Sequence, residues 1–302
     1  MPRSPILSGT NLTRRSLLLG SASALALAAC GGSESAESDG PAELHALAFF
    51  GPVPLFKPDQ TVRAPVGIGD SQGIPLAPAD MPDEISVDIF FGQTILQTRT
   101  AKKRSEGLAN AYYDLRFPAD IAGVYALSWE HDGVPLQTFA QVNKPEEVSV
   151  PGPGERLQGF DTPTVDDSRG VEPICTREPE CGLHTTNLAD SIANGQPTVL
   201  LVSTPMFCQT AVCGPVLELL RAQADTRPDI TFIHAEVYAN AVEVGGILNE
   251  NIKISPAVDA LHLTHEPSLF TVDPNGVIVE RLDFTFDGTE LVEVLDQLET
   301  RI

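Results

Sequence analysis

Basic residues are scarce in this chain of 302 residues. Lysine and arginine together number 19 against 41 aspartate and glutamate residues, so the formal net charge is −22 at pH 7. A protein that binds nucleic acid needs a basic face that neutralises phosphates, and this charge argues against nucleic acid as a partner. The acidity itself predicts solubility, or tolerance of salt, rather than a particular substrate.

Long apolar runs are also missing. An uncharged stretch follows Arg14 and Arg15, is rich in leucine and alanine, and ends at Cys30. It is too short to cross a bilayer as a helix, and its order of charged, apolar and small residues is that of an export signal. We therefore predict a removable signal over residues 1–29. Residues 30–42 are predicted to form a flexible, acidic tether.

Two short motifs within this signal resemble known export signatures. Thr13-Arg-Arg-Ser-Leu-Leu-Leu is similar to the twin-arginine signal, and Leu27-Ala-Ala-Cys30 resembles a bacterial lipobox. The resemblance implies that Cys30 becomes the lipidated first residue of an extracytoplasmic protein. A lipid anchor would then be its only link to the membrane. The alternative is a plain secretory signal with an incidental cysteine.

Residues 43–142 are predicted to form an all-β sandwich. Short strand-like runs alternate with turn clusters, a spacing typical of that architecture. The segment Asp120-Ile-Ala-Gly-Val-Tyr125 resembles the tyrosine corner of immunoglobulin-like domains, and Trp129 is expected in the core. No catalytic set is visible, so we interpret this part as a spacer or docking module. The predicted strands are 61–68, 85–91, 94–100, 112–117, 124–129 and 136–142.

A linker rich in proline and glycine is predicted over residues 143–172, followed by an α/β domain over residues 173–302. Helices are predicted at 188–194, 215–224 and 291–298. Strands are predicted at 198–202, 230–238, 268–272 and 277–282, the last two forming a hairpin around Asp273-Pro-Asn-Gly276.

Five cysteines are present, and two of them follow the first strand of this domain. Cys208 and Cys213 come after the apolar run that begins at Val199, close to a predicted helix start. Unpaired backbone N–H groups and the helix dipole stabilise thiolate over thiol at such a position. The pattern predicts reactive thiols.

Residues 195–302 resemble the thioredoxin-like superfamily. Cys208 lies where that family has its nucleophile, the helix after Pro215 is similar to its proline-kinked helix, and Glu266-Pro267 matches its cis-proline segment. The resemblance implies that Pro267 faces the thiols and shapes a substrate groove. The sequence departs from the family's Cys-x-x-Cys, because Ala211 occupies the position of the resolving cysteine.

The spacing of Cys208 and Cys213 leaves two alternatives. On an α-helix, residues five apart have Cα atoms about 8.5 Å apart, too far for a disulfide. The two can pair only if residues 209–212 are not regular helix. If they stay separate, the resemblance of His265 to the histidine ligand of Sco-type copper proteins implies a copper site of Cys208, Cys213 and His265. Otherwise His265 is an ordinary loop residue.

Cys175 and Cys181 are predicted to form a structural disulfide, since four cysteines remain after Cys30 in an oxidising compartment. The alternatives are a second redox pair, or zinc with His184, for which only three ligands are visible. His234 and His262 belong to no recognisable motif and are expected to be ordinary surface or core residues.

Three functions are consistent with these observations. The first is a thiol–disulfide oxidoreductase, with Cys208 as attacking thiolate and Cys213 as resolving partner. It would act on exported proteins that carry thiols or disulfides and would need no cofactor. The second is a copper carrier, and the third is a non-catalytic scaffold held by structural disulfides. A peroxidase fits less well, because Thr204 is one residue too far from Cys208.

Overall fold

The computed structural model describes residues 43–208, 211–245 and 249–302. The predicted signal, the lipidation residue Cys30 and the whole predicted tether, residues 30–42, lie outside the described residues. Among the described residues, no helix combines the length and the apolar character that crossing a membrane requires.

Nine strands form the N-terminal β region. Seven of them make one large sheet in the order β1-β3-β6-β5-β4-β8-β9, and β2 pairs with β7 in a second, two-stranded sheet. Apolar side chains of both sheets share one core. The strands are β1 (His45–Ala48), β2 (Gln60–Arg63), β3 (Val66–Gly69), β4 (Glu84–Phe91), β5 (Thr94–Arg104), β6 (Tyr112–Asp114), β7 (Arg116–Ala119), β8 (Gly123–His131) and β9 (Val134–Val142).

Two of the predicted strands are each divided between the sheets. The run 61–68 becomes β2 and β3, separated by Ala64 and Pro65, and the run 112–117 becomes β6 and β7 on either side of Leu115. The backbone N–H of Ala64 donates to the carbonyl of Leu115 at 2.9 Å, so the two segments cross from one sheet to the other at the same place. Proline lacks a ladder donor, which explains the break at Pro65.

The two aromatic residues singled out in the sequence are both in the β core. The hydroxyl of Tyr125 donates to the carbonyl of Ile121 at 2.9 Å, a local tie to backbone of the kind the tyrosine-corner motif predicts. Trp129 is buried in the same core, as expected. The immunoglobulin-like classification stays a prediction.

The C-terminal α/β region has a four-stranded mixed sheet in the order β11-β10-β12-β13. The strand β10 runs parallel to β11 and antiparallel to β12. The predicted order of helices and strands is confirmed, with one additional helix, α3. The elements are α1 (Leu188–Ala193), β10 (Thr198–Val202), α2 (Cys213–Ala224), β11 (Thr231–Ala235), α3 (Pro256–Leu261), β12 (Ser268–Val272), β13 (Ile278–Asp283) and α4 (Gly288–Glu299).

Both faces of this sheet are covered, because side chains alternate along its strands. In β10, Leu200 and Val202 pack into one apolar cluster with residues of α1 and α3. Val199 and Leu201 pack into another cluster with residues of α2 and α4. The strand is therefore buried at every position, which fits its unbroken apolar run in the sequence.

The segment 143–172 is packed against the α/β region rather than standing free as a linker. Val150 and Leu157 are buried in the cluster that includes α1 and α3. The guanidinium of Arg281 donates to the carbonyl of Pro151 at 2.9 Å. Residues 42–302 accordingly form one compact unit.

A buried ion cluster joins the β region to α4. Arg63 of β2 makes two bonds of 2.6 Å to the carboxylate of Glu290, which also accepts from Arg116 and from the hydroxyl of Tyr112. Burial alone would raise the pKa of Glu290, but the two arginines outweigh it and lower the pKa to about 2. The β region thus supplies two arginines, and α4 supplies the buried carboxylate that they neutralise.

Candidate functional site

The candidate site is the loop between β10 and α2. Cys208 and Cys213 are joined by a disulfide, with Cα atoms 5.9 Å apart. The helix α2 begins only at Cys213, and Ala211 has a left-handed φ of 57°. At Ala211 the backbone is therefore not α-helical, which is the condition under which this spacing permits a disulfide.

The two sulfurs are not equivalent. Cys213 is fully buried, whereas Cys208 is partly exposed. The backbone N–H of Cys213, at the first turn of α2, donates to the sulfur of Cys208 at 3.4 Å. An N–H group aimed at a sulfur from a helix N-terminus stabilises the thiolate that forms when the disulfide opens. The geometry makes Cys208 the more exposed cysteine and the better-stabilised thiolate.

Glu266 completes the site and was missed by sequence reasoning, which considered only the proline beside it. The peptide bond between Glu266 and Pro267 is cis, as the family resemblance implied, and Pro267 is buried. The Glu266 carboxylate lies 3.4 Å from the sulfur of Cys213 and accepts the backbone N–H of Thr204 at 2.7 Å. Burial raises the pKa of Glu266 to about 7, although the N–H of Thr204 opposes this. A carboxyl with that pKa can exchange a proton with a neighbouring thiol near neutral pH.

An apolar groove begins beside the disulfide loop. Its cavity measures about 420 Å³, and Ala211, Val212 and Pro215 line the end nearest the cysteines. Phe49 and Tyr112 of the β region line the other end. The β region thus contributes directly to the surroundings of the thiols.

His265 is not part of this site. Its Nε2 atom lies 2.9 Å from the carboxylate of Asp283 and 2.9 Å from the hydroxyl of Ser268, and its ring stacks on Phe284. Among the described residues, the third side chain close enough to share a metal ion with Cys208 and Cys213 is Glu266. The structure therefore does not bring together the three ligands expected for a copper site. It also buries His265 rather than leaving it as an exposed loop residue.

The other cysteine pair differs from its prediction. Cys175 and Cys181 are buried and are not disulfide-bonded. They lie beside the imidazoles of His184 and His234, the second of which reaches them from β11. The hydrogen bond between the two thiols lowers the pKa of Cys175 and raises that of Cys181, so the pair favours sharing a single proton. No signal in the sequence connected His234 with these cysteines, because the loop that carries them reaches β11 only in the folded chain, where the backbone N–H of His234 donates to the carbonyl of Leu183 at 3.0 Å.

Comparisons with known proteins found similarity only among solved structures. No protein-family model matches the chain, and no curated protein matches it. One similar structure is of MTB dsbF in its mixed oxidized and reduced forms, at 19% identity over 38% of this chain and 90% of that chain, with a TM-score of 0.29. Another is the "Crystal structure of a putative Thiol:disulfide interchange protein DsbE from Chlorobium tepidum", at 12% identity over 49% of this chain and 95% of that chain, with a TM-score of 0.33. Both cover less than half of this chain at low TM-scores, so the proposals below rest on its own residues.

Proposed function

We propose that this protein is a thioredoxin-like thiol–disulfide oxidoreductase whose reactive pair is Cys208 and Cys213. The observation that carries the proposal is the asymmetry of the disulfide. One sulfur is accessible at a helix N-terminus, and the other is buried beside a carboxyl whose pKa is about 7. Such a pair has a sulfur that substrates can reach and a resolving thiol that is shielded from them.

The exchange reaction balances in two steps. A substrate thiolate attacks Cys208 and forms a mixed disulfide, while the bond between Cys208 and Cys213 breaks and Cys213 leaves as thiolate. A second substrate thiolate then attacks the substrate sulfur of the mixed disulfide and releases Cys208. The substrate is oxidised to a disulfide and the protein gains two electrons; the reverse sequence reduces a substrate.

In this reaction Glu266 donates a proton to Cys213 in one direction and accepts it in the other. When Cys213 leaves, a protonated Glu266 at 3.4 Å can donate to its sulfur. When Cys213 must attack the mixed disulfide, an ionised Glu266 accepts the proton from its thiol. A pKa of about 7 leaves both forms of Glu266 populated near neutral pH, so the group serves both directions.

The substrates that we propose are exported proteins that carry thiols or disulfides. The groove beside Ala211 and Val212 is mostly apolar. A substrate cysteine flanked by apolar side chains would bury them there while its sulfur meets Cys208. The β region would then form part of the substrate surface besides acting as a spacer.

We further propose that the mature chain begins at a lipidated Cys30 on the extracytoplasmic face of the membrane. Residues 30–42 would tether residues 43–142 and 173–302 at a short distance from the bilayer. The motifs that end at Cys30 are the support for this part of the proposal. Mass measurement of membrane-extracted protein would test it, because a diacylated Cys30 has a distinctive added mass.

The test of the activity uses the full chain and a synthetic peptide with one disulfide flanked by apolar residues. The reduced wild-type chain should reduce this peptide, and Cys208→Ser should lose the activity by orders of magnitude. Cys213→Ser should instead accumulate a mixed disulfide between the peptide and Cys208, visible by mass. His45→Ala, which changes an exposed residue outside both cysteine pairs, is the matched control and should retain the exchange.

Two results would contradict the proposal. If Cys208→Ser exchanged thiols as fast as the wild type, another group would be the nucleophile. If the reduced wild-type chain left the peptide intact and the disulfide merely added to stability, the protein would be a scaffold.

A further inference from the structure

We propose that Cys175, Cys181, His184 and His234 form a structural zinc site. This site is separate from the disulfide, and the proposal does not depend on the redox function. The four side chains come from two distant parts of the chain. Three are supplied by the loop after the segment 143–172, and the fourth by β11.

Four of the six distances between the ligand atoms fit a tetrahedral site, and all six are within 4.8 Å. The sulfur of Cys181 lies 3.2 Å from Nε2 of His184 and 3.6 Å from Nδ1 of His234. The two nitrogens are 3.4 Å apart, and the sulfur of Cys175 is 3.9 Å from Nδ1 of His234. Zinc bonds of about 2.3 Å to sulfur and about 2.0 Å to nitrogen give tetrahedral edges of about 3.3 to 3.8 Å. The measured distances centre on that range.

The surroundings of the sulfurs suit thiolate ligands. The backbone N–H of Cys181 points at the sulfur of Cys175 at 3.4 Å, and the N–H of Leu183 points at the sulfur of Cys181 at the same distance. Donors of this kind compensate the negative charge that remains on a metal-bound sulfur. Within the described chain neither sulfur is used in a disulfide, so both are available.

The two imidazoles are oriented as ligands. Nε2 of His234 lies 3.0 Å from the carbonyl oxygen of Ser203, which can only accept, so Nε2 carries the proton and Nδ1 presents its lone pair to the cluster. A second hydrogen bond from the ring to a backbone carbonyl is the usual support of a metal-ligating histidine. For His184, Nδ1 is buried without a partner among the described residues, so the cluster on its Nε2 side is what anchors this ring.

Burial decides the kind of site. The exposed fractions are 4% for Cys175, 5% for Cys181, 1% for His184 and 0% for His234. Four protein ligands with no position open to solvent are typical of structural rather than catalytic zinc. Thiolate and imidazole together favour zinc over magnesium or calcium, which prefer oxygen.

The position of the site indicates what the metal would hold in place. Next to Cys175, the hydroxyl of Thr176 accepts the backbone N–H of Met206 at 3.2 Å, two residues before Cys208. On the other side, His234 contacts Ser203, which precedes the Thr204 whose N–H holds Glu266. A zinc ion would therefore stabilise the backbone around Thr176 and Ser203, which supports the loop that carries Cys208.

The test measures metal binding by the reduced full chain. We expect one zinc ion per chain, and we expect cobalt(II) in its place to give the intense visible bands of a tetrahedral site together with sulfur-to-cobalt charge transfer. Cys175→Ser and His234→Ala should weaken zinc binding by at least about a hundredfold, since even losses among supporting residues cost up to that much. The double variant Cys208→Ser/Cys213→Ser and the exposed-histidine control His45→Ala should bind as the wild type does.

Three results would overturn the proposal. The first is a chain that arrives with Cys175 and Cys181 linked by a disulfide and takes up no zinc once reduced. The second is a cobalt spectrum without thiolate charge transfer. The third is zinc binding that is lost in the Cys208→Ser/Cys213→Ser variant, since the metal would then belong to the other pair. The spectrum of the wild type keeps the test decisive even if Cys175→Ser does not fold.

Discussion

The two cysteine pairs are nearly alike in sequence and opposite in surroundings. Cys208 and Cys213 are five residues apart, and Cys175 and Cys181 are six apart. The first pair is disulfide-bonded at the start of α2, with one sulfur reachable from solvent. The second pair is free, buried and faced by two imidazoles.

The difference shows that spacing along the chain does not determine the chemistry of a cysteine pair. A helix N-terminus and a nearby carboxyl prepare the first pair to open and close. Imidazoles that converge from another strand prepare the second pair to hold a cation. Each prediction below tests whether this contrast in surroundings produces a contrast in behaviour.

The largest expected difference is in thiol reactivity. In the reduced, metal-free chain, iodoacetamide should modify Cys208 at least about a hundredfold faster than Cys175 or Cys181, because only Cys208 combines exposure with an N–H donor from a helix start. Mass spectrometry of timed, quenched samples measures each site separately. Adding zinc should slow the modification of Cys175 and Cys181 further and leave Cys208 unchanged. Equal rates at all three sites would remove the contrast.

The next difference is in stability. His234→Ala removes a fully buried ring that contacts Ser203 and both thiols, so it should lower the free energy of unfolding by about 2 to 4 kcal/mol. Opening the Cys208–Cys213 disulfide frees a loop of only a few residues and should cost about 2 kcal/mol. Guanidinium unfolding measures both, with His45→Ala as an exposed control expected within about 0.5 kcal/mol of the wild type. A neutral His234→Ala would mean that the cluster contributes nothing to the fold.

Much of the fold could be predicted from local patterns. The apolar run of β10, the Asp273–Gly276 turn and the amphipathic pattern of α4 each determine their own element, and all three are present. The strand β1 was not predicted, and two further errors in the β region arise at Pro65 and Leu115, where continuous strand-like sequence crosses between sheets. Such a crossing depends on which strands pair, and that information lies outside any short window of sequence.

Some residues of the two cysteine sites could likewise be predicted from the sequence, and others could not. Cys208, Cys213 and Pro267 could be found because a strand, a helix start and a family resemblance mark their positions. Glu266 carried no separate signal, and its importance follows from its contact with Cys213. His234 lies more than fifty residues from the cysteines that it faces, so only the contact of their loop with β11, through the bond from the N–H of His234 to the carbonyl of Leu183, reveals the four-residue cluster.

The smallest expected effect is on the pH dependence of exchange, which should distinguish the two cysteine pairs. Glu266→Gln should slow the attack of Cys213 on the mixed disulfide by roughly tenfold or more, because it removes the group that accepts the thiol proton. In the wild type this rate should rise as pH passes through about 7, and the variant should lose that rise. Rapid-quench measurement of peptide release from Cys208 gives the profile, with Glu266→Asp as partial rescue and the exposed Glu130→Gln as control.

Stability should follow the same titration with a defined sign. The pKa of Glu266 is raised from 4.5 to about 7 by burial, so its contribution to the free energy of unfolding is fully present below about pH 4.5 and is lost as pH rises through about 7. Glu266→Gln should reduce this slope, since glutamine stays neutral throughout, and should leave the part that comes from Glu236, whose buried carboxyl has a pKa raised to about 8. Cys175→Ser and His234→Ala should keep the pH dependence of exchange, because Glu266 lies 3.4 Å from the sulfur of Cys213 and belongs to the cluster around that pair. If Glu266→Gln left both the slope and the pH dependence of exchange unchanged, some other group would govern the proton of Cys213, and the first pair would lose the carboxyl that distinguishes it.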